Sequence, residues 1–559
     1  MFLIPRKVPI LEDHPDSFFY SRRIGQSPRG SVSGDYTDTP LNTNILGAAK
    51  VTGRSENGLS IGALTALTGR EFGEYYNLSD SSKGEALIGP LTSYNVLRLK
   101  QDLSGEEVSS VGLLLTNVYR DIESGSVLSS IYSKNAITGD ADWFFRFDSA
   151  TYQFDGHLGF SHVQGEKEAI LGLQHSSAHY YQRPDASHVK VDSNATSMTG
   201  YTGTIRFQKI AGENWLWEVN TGFETPGLEL NDIGQFHAGD EIFTNTILKY
   251  RENKPGNIFY SYSIMGYFYN EWDFGGNHLV KYFVINPNLT FHNRSTFNTF
   301  FWYEFAGLSN NKTRGGPLMA TYDSFGGKAE YSSDWTANNQ WGITIEGNRN
   351  ILNGWDAQIH GRLTLKMFDR FEFSVRPYYI TGINPRQYVD TKDGSPEITF
   401  GKRYIFAYIK RQTLAASFRM NYAFTSDLTL ELYFEPFAAN GDYYDFGELA
   451  RPKSYDLKYY GKEDGTSIEL DENGKYNVRD NEQAFEFENP DFQYLSFRSN
   501  LVLRWEYIPG STLYLVWQQN KSDYLYLADN VGFNSLYDTF SAKGINTLAL
   551  KVSYWLPVD

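Results

Sequence analysis

The 559-residue sequence has no cysteine, which excludes a disulfide framework and any thiolate metal site. It has no uninterrupted apolar run of about 18 residues, the length a membrane-crossing helix needs. Cations are in deficit: 50 Lys and Arg stand against 66 Asp and Glu, a formal charge of −16. Nucleic acid is a poor partner for such a chain, because phosphate contacts need clustered basic side chains. No phosphate-cradling glycine loop occurs, and no cofactor is implied. The start, MFLIPRKVPILEDHPDS, has an apolar stretch too short for a signal-peptide core and runs into acids and prolines. The expectation is therefore a mature form or a fragment of a longer precursor.

What is abundant is aromatic: 40 Tyr, 39 Phe and 11 Trp, with 50 Gly, in a chain of mean hydropathy −0.45. That balance suits strands with one apolar and one polar face that share no dry core. In SDLTLELYFEPF (426–437), Leu428, Leu430, Leu432 and Phe434 alternate with Thr429, Glu431, Tyr433 and Glu435. Around it, Phe418 and Met420 alternate with Arg419, Leu503 with Arg504 and Glu506, and Leu548 and Leu550 with Lys551. Period-two alternation over about ten residues is the length of a tilted strand crossing a bilayer. The prediction is an all-β fold, a large antiparallel transmembrane β-barrel of about 22 strands. Arg419, Glu431, Glu435, Arg504 and Glu506 would face the lumen, and the leucines lipid.

Connection lengths alternate as well. Short turns at 211–214, 368–370, 425–427 and 507–511 interleave with polar links at 163–198, 308–324, 381–411, 438–493 and 524–543. Short periplasmic turns and long extracellular loops are the outer-membrane pattern. It predicts residues 1–17 as a lead-in and 18–559 as barrel, with long outer loops at 163–198, 381–411 and 438–493. An even strand number needs FFYSRRIG (18–25) as the first strand. Its Phe18, Phe19 and Tyr20 would lie near the periplasmic interface, with Arg22 and Arg23 paired to acids of the inner wall.

FFYSRRIG, NILGAAKVTGRSENGLSIGALTALTG, YYQRPDASH, PGLELNDIG and FRSNLVLRWEYIPGSTLYLVWQQ carry a resemblance. Together they are similar to the C-terminal outer-membrane barrel of the domain of unknown function 5916 family. The resemblance implies a Gram-negative outer-membrane location and lipid as partner. It also implies a preceding domain like family 9 carbohydrate-binding modules, with saccharide or that domain as a further partner. It implies no reaction.

Candidate chemistry is sparse. His175 and His179 lie four apart in a segment whose Ala169, Ile170 and Leu173 suit a short helix, but no third zinc ligand or HExxH base accompanies them. Solvated loop histidines are the better reading. Asp155 and His157 share one strand face and read as lumen lining. The acids of 438–493 break the EF-hand register and instead frame a hairpin tip at Glu472-Asn473-Gly474. No metal or catalytic residue is assigned. The function expected is passage or uptake through a porin-like channel or transporter-like barrel. The alternatives are an anchor displaying a binding domain, a docking subunit of an export or uptake complex, and an outer-membrane hydrolase.

Overall fold

The computed structural model describes residues 17–103, 108–394 and 397–555, so most of the expected lead-in lies outside the described residues. Twenty-two strands among the described residues belong to one large antiparallel sheet of the barrel class. Among the described residues no helix is long and apolar enough to cross a membrane. The chain divides into two compact units: Met1–Leu248 with Phe268–Lys281 and Leu308–Leu318, and Lys249–Tyr267 with Tyr282–Gly307 and Met319–Asp559.

In the first unit, wall strands from Ile45–Arg54 to Trp215–Glu224 pair in chain order, except that Glu71–Tyr76 and Lys83–Gly89 leave the wall to form a separate sheet with Tyr36–Asp38. Leu97, Leu113, Leu115, Leu158, Phe160, Ile205 and Phe207 lie exposed on one face. A water-facing sheet would not leave so continuous an apolar surface bare; a bilayer would cover it. The opposite face is covered by the chain itself. Ala66, Tyr94, Val118, Ala136 and Val163 of the wall pack with Ile170, Ile233 and Phe19. Ile170 belongs to α1, Lys167–His175, the short helix its apolar spacing predicts. The strands therefore sit between an apolar outer face and an inner layer of folded loops.

In the second unit Phe371–Asp393, Lys402–Ala423 and Leu428–Leu449 are longer strands, of 22 or 23 residues. Arg419 pairs with Tyr433, Tyr433 with Asn500, and Thr429 with Arg504. Because side chains alternate, Arg419, Glu431, Glu435, Arg504 and Glu506 share one face. Leu430, Leu432, Phe418, Leu503 and Leu550 share the other.

Three expectations are corrected. The 381–411 link is not a loop: Phe371–Asp393 and Lys402–Ala423 are strands of 23 and 22 residues, paired nearly to their tips. Their polar residues look like loop because they sit beyond the apolar band, where both faces of a strand can be wet. The 438–493 link likewise begins as strand, to Leu449, and then holds a local three-stranded sheet, Thr466–Leu470, Lys475–Asp480 and Gln483–Glu488. The expected hairpin tip joins the first two of these strands. Finally, FFYSRRIG is not a strand. Ser21–Arg23 forms a 3₁₀ turn, and Ser17 makes an isolated antiparallel bridge to Gln235.

Candidate functional site

Three of the quoted motifs, far apart in sequence, meet on the inner layer of the first unit. The segment 225–240 (TPGLELNDIGQFHAGD) alternates apolar and acidic residues without being a strand. Leu228 and Leu230 are buried with Phe236, and Phe18 of the N-terminal segment packs against them. The acids between and beyond them each land on a basic side chain from elsewhere. Glu229 accepts from His179 Nε2 at 3.1 Å. Asp232 accepts from Arg120 Nη1 at 2.6 Å and from Ser133 Oγ at 2.7 Å. Asp240 accepts from Arg183 Nη2 at 2.8 Å and faces His188 Nε2 at 2.9 Å. Arg183 also lies 3.8 Å from Asp273, which is fully buried.

The N-terminal segment completes the layer through backbone contacts. Ser17 and Gln235 exchange both amide bonds at 2.8 Å, and the Tyr20 amide donates to the Ile233 carbonyl. Arg23 donates to the Gly234 carbonyl at 2.8 Å and to Asn231 Oδ1 at 2.6 Å. Close approach needs bare backbone in the wall. A Cβ on Gly200 would lie 2.0 Å from the Leu228 amide nitrogen, and one on Gly159 would lie 2.3 Å from the Phe18 ring.

Burial makes these pairs consequential, because a charge out of water needs a partner. Arg120, Arg183, Glu229, Asp232, Asp240 and Asp273 are each less than a tenth exposed. Burial holds the Asp240 carboxyl above its ordinary range, even though bonds from His188 and the Phe274 amide pull it down. Burial also pushes the Tyr181 phenol up to about 12.

His188, Asp240 and Asp273 present ligand atoms within 4.8 Å of one another, the spacing of a cation site. The Arg183 guanidinium already stands there, bonded to Asp240, and supplies the positive charge a metal would bring. Nor does the arrangement suit hydrolysis. Nδ1 of His179 faces the Pro226 carbonyl at 2.9 Å and its Nε2 faces Glu229, so neither nitrogen is free to take a proton from a nucleophile. The cluster can hold segments together.

The sequence-predicted residues fare unevenly. His175 and His179 do not form a pair, because α1 ends at His175 and Ser176 is extended. His175 is exposed and His179 buried. Asp155 and His157 do share a face but take different partners: Asp155 pairs with Arg206 at 2.8 Å and His157 with Asp140 at 2.8 Å. Arg23 bonds to carbonyl and amide oxygens rather than to acids, and Arg22 is exposed beside it. Phe18 and Phe19 are packed in the inner layer instead of marking a membrane rim. Glu506 takes Arg504 as its partner, at 2.8 Å. Arg120, Arg183, His188, Asp232 and Asp240 were missed as a group. Their signal was the run of acids alternating with leucines in PGLELND, opposite the basic motif QRPDASH.

Residues 15–559 match the family described as "Domain of unknown function (DUF5916)". The chain belongs to the DUF5916 family. In this DUF5916 protein FFYSRRIG, YYQRPDASH and PGLELNDIG are thus parts of one lock. No curated protein matches it. Among solved structures it is similar to the outer membrane transporter YddB from Escherichia coli, at 9% identity and a TM-score of 0.38, over 90% of this chain and 74% of that one.

Proposed function

We propose that this DUF5916 protein is a bacterial outer-membrane barrel of channel or transporter type, not an enzyme, with passage through it controlled by the inner layer of its first unit. The observation that carries the reading is what covers the inner face. A barrel that only anchors another domain needs no more than an inert filling. Here three separate segments are tied to one another and to the wall by ion pairs and single hydrogen bonds, a layer that is ordered yet divisible. The polar wall residues below it, such as Arg98 with Asp142 and His157 with Asp140, suit hydrated solutes. A saccharide cargo is the further proposal, drawn from the carbohydrate-binding-like domain the family resemblance implies.

Planar-bilayer recording of the purified chain tests the reading. The native protein should be nearly silent, and the Arg183→Ala, Asp232→Ala double variant should show steps at least about tenfold larger, as expected when a plugged lumen opens. Liposome swelling with a disaccharide then reads solute passage. A folded double variant as silent as the native protein would overturn the passage reading and favour an anchor.

A further inference from the structure

Residues 526–543 of the second unit fold back over the outer, apolar face of the wall. Val531 and Leu536 pack on Leu414, Ala438 and Leu495. The Phe540 ring lies 4.7 Å from that of Phe497, and Lys521 Nζ donates to the Phe540 carbonyl at 2.8 Å. Two polar contacts fix the height of this segment on the wall. The Val531 amide donates to Gln412 Oε1 at 3.1 Å, and Asn440 Nδ2 donates to the Asp529 carbonyl at 2.8 Å.

Gln412 and Asn440 mark a boundary. They share a wall face with Leu414, Phe418, Phe434 and Ala438, and pair with each other across the ladder. Along that face the side chains change there from apolar to amide. The segment therefore crosses the edge of the apolar band. It carries the short helix α2, Phe533–Asp538, which turns Leu536 inward and Phe533 and Tyr537 outward. Phe533 is 84% exposed, Tyr537 77% and Tyr526 81%. Three large rings, bare beside an apolar wall at the level where it turns polar, have the amphipathic character that favours the headgroup layer.

We propose that residues 526–543 form an interfacial foot, seated in the headgroup region of the bilayer, that sets the height of the second unit in the membrane. The occupant is lipid, because the exposed rings continue the same apolar face that the wall presents to the bilayer. A protein partner would need a surface of its own, separate from that face. The inference rests on the barrel reading of the wall, and the test separates the two.

The chain lacks cysteine, so single-cysteine variants can carry a nitroxide label without background. Labels would be placed at Phe533, Tyr537, Leu432 on the outward wall face and Gly474 at the hairpin tip. Folding of each is checked by heat-modifiability before reconstitution into phosphatidylcholine–phosphatidylglycerol vesicles. Collision with a water-soluble nickel chelate should fall about threefold or more at Phe533 and Tyr537 relative to Gly474, as for side chains buried at the headgroup boundary. Chelate access at Phe533 and Tyr537 equal to that at Gly474, with Leu432 shielded, would overturn the foot alone. Leu432 as accessible as Gly474 would overturn the barrel reading beneath it.

Discussion

In the first unit Arg183 stands between Asp240 and Asp273; in the second, Arg403 stands between Glu448 and Asp480, at 2.6 and 2.8 Å. Both guanidinium groups are almost wholly buried. Their surroundings differ. Arg403 lies beside a dry cluster of Ile405, Ala407, Phe446, Val478 and Phe487, and the hairpin holding Asp480 has its own β-ladder. Arg183 joins irregular segments with no ladder between them. The same ionic motif thus does two jobs. Where hydrogen-bonded strands already fix the geometry, the ion pairs add to it. Where there are none, the ion pairs are a main part of what fixes it.

The comparison can be broken most directly by removing each arginine. Arg183→Ala leaves Asp240 and Asp273 without their buried cation, and the local loss should be about 3–5 kcal/mol. Hydrogen exchange should rise across 17–24 and 225–240 together, because those segments are tied to one another. Arg403→Ala should cost less, about 1–3 kcal/mol, the range for leaving a buried polar group short of a partner. Lys458 remains 2.7 Å from Asp480 and preserves part of the charge balance. Exchange should rise at 466–488 while the strands beneath stay protected. Equal losses in the two variants would mean the ladder in the second unit contributes nothing beyond the ions.

A smaller effect tests whether close contact, and not charge alone, holds the first unit's layer. Gly200→Ala places a Cβ against the Leu228 amide, which is backbone and cannot swing aside. The 225–240 segment must lift, at a cost of about 1–3 kcal/mol for an overpacked site. Hydrogen exchange at Leu228 and Glu229 should quicken with no change at 466–488. An unaltered Leu228 would show that the segment sits more loosely than its contacts imply.

The wall was legible in the sequence because its cause is periodic. One bilayer and one inner face impose alternation on Leu430, Glu431 and Leu432, and alternation survives without knowledge of partners. The lock was not legible, because nothing local requires it. Glu229 and His179 are 50 residues apart, and Arg120 and Asp232 are 112 apart. Only the fold brings them together. The FFY stretch misled for a related reason: rings suit a membrane rim and a packed inner layer equally well. Strand ends were misjudged where polar residues continue a ladder above the apolar band, as in Thr381–Asp390.

Acid sharpens the comparison in the opposite sense at the two clusters, and this is the smallest effect expected. Burial raises Asp240 above the ordinary aspartate value of 3.8. A raised carboxyl contributes stability that is fully present below 3.8 and lost as pH rises through its folded value. Acidification therefore does not weaken the first unit through Asp240. At Asp480 burial also pushes upward, but bonds from Lys458 and Arg403 outweigh it and hold the carboxyl below 3.8. Its contribution is present above 3.8 and lost as pH falls through the lowered value. Between about pH 4.5 and pH 2.5, a window around the ordinary aspartate value, the hairpin at 466–488 should loosen before the 225–240 segment does. Limited digestion with pepsin, followed by mass spectrometry of the fragments, reads the order. Asp480→Asn should reduce the pH dependence of cutting at 466–488, leaving the share from Asp471, whose carboxyl the Lys475 amide also holds below 3.8. First cuts within 225–240, or a variant that keeps the full pH dependence, would show that the two clusters do not differ in the way their carboxyls indicate.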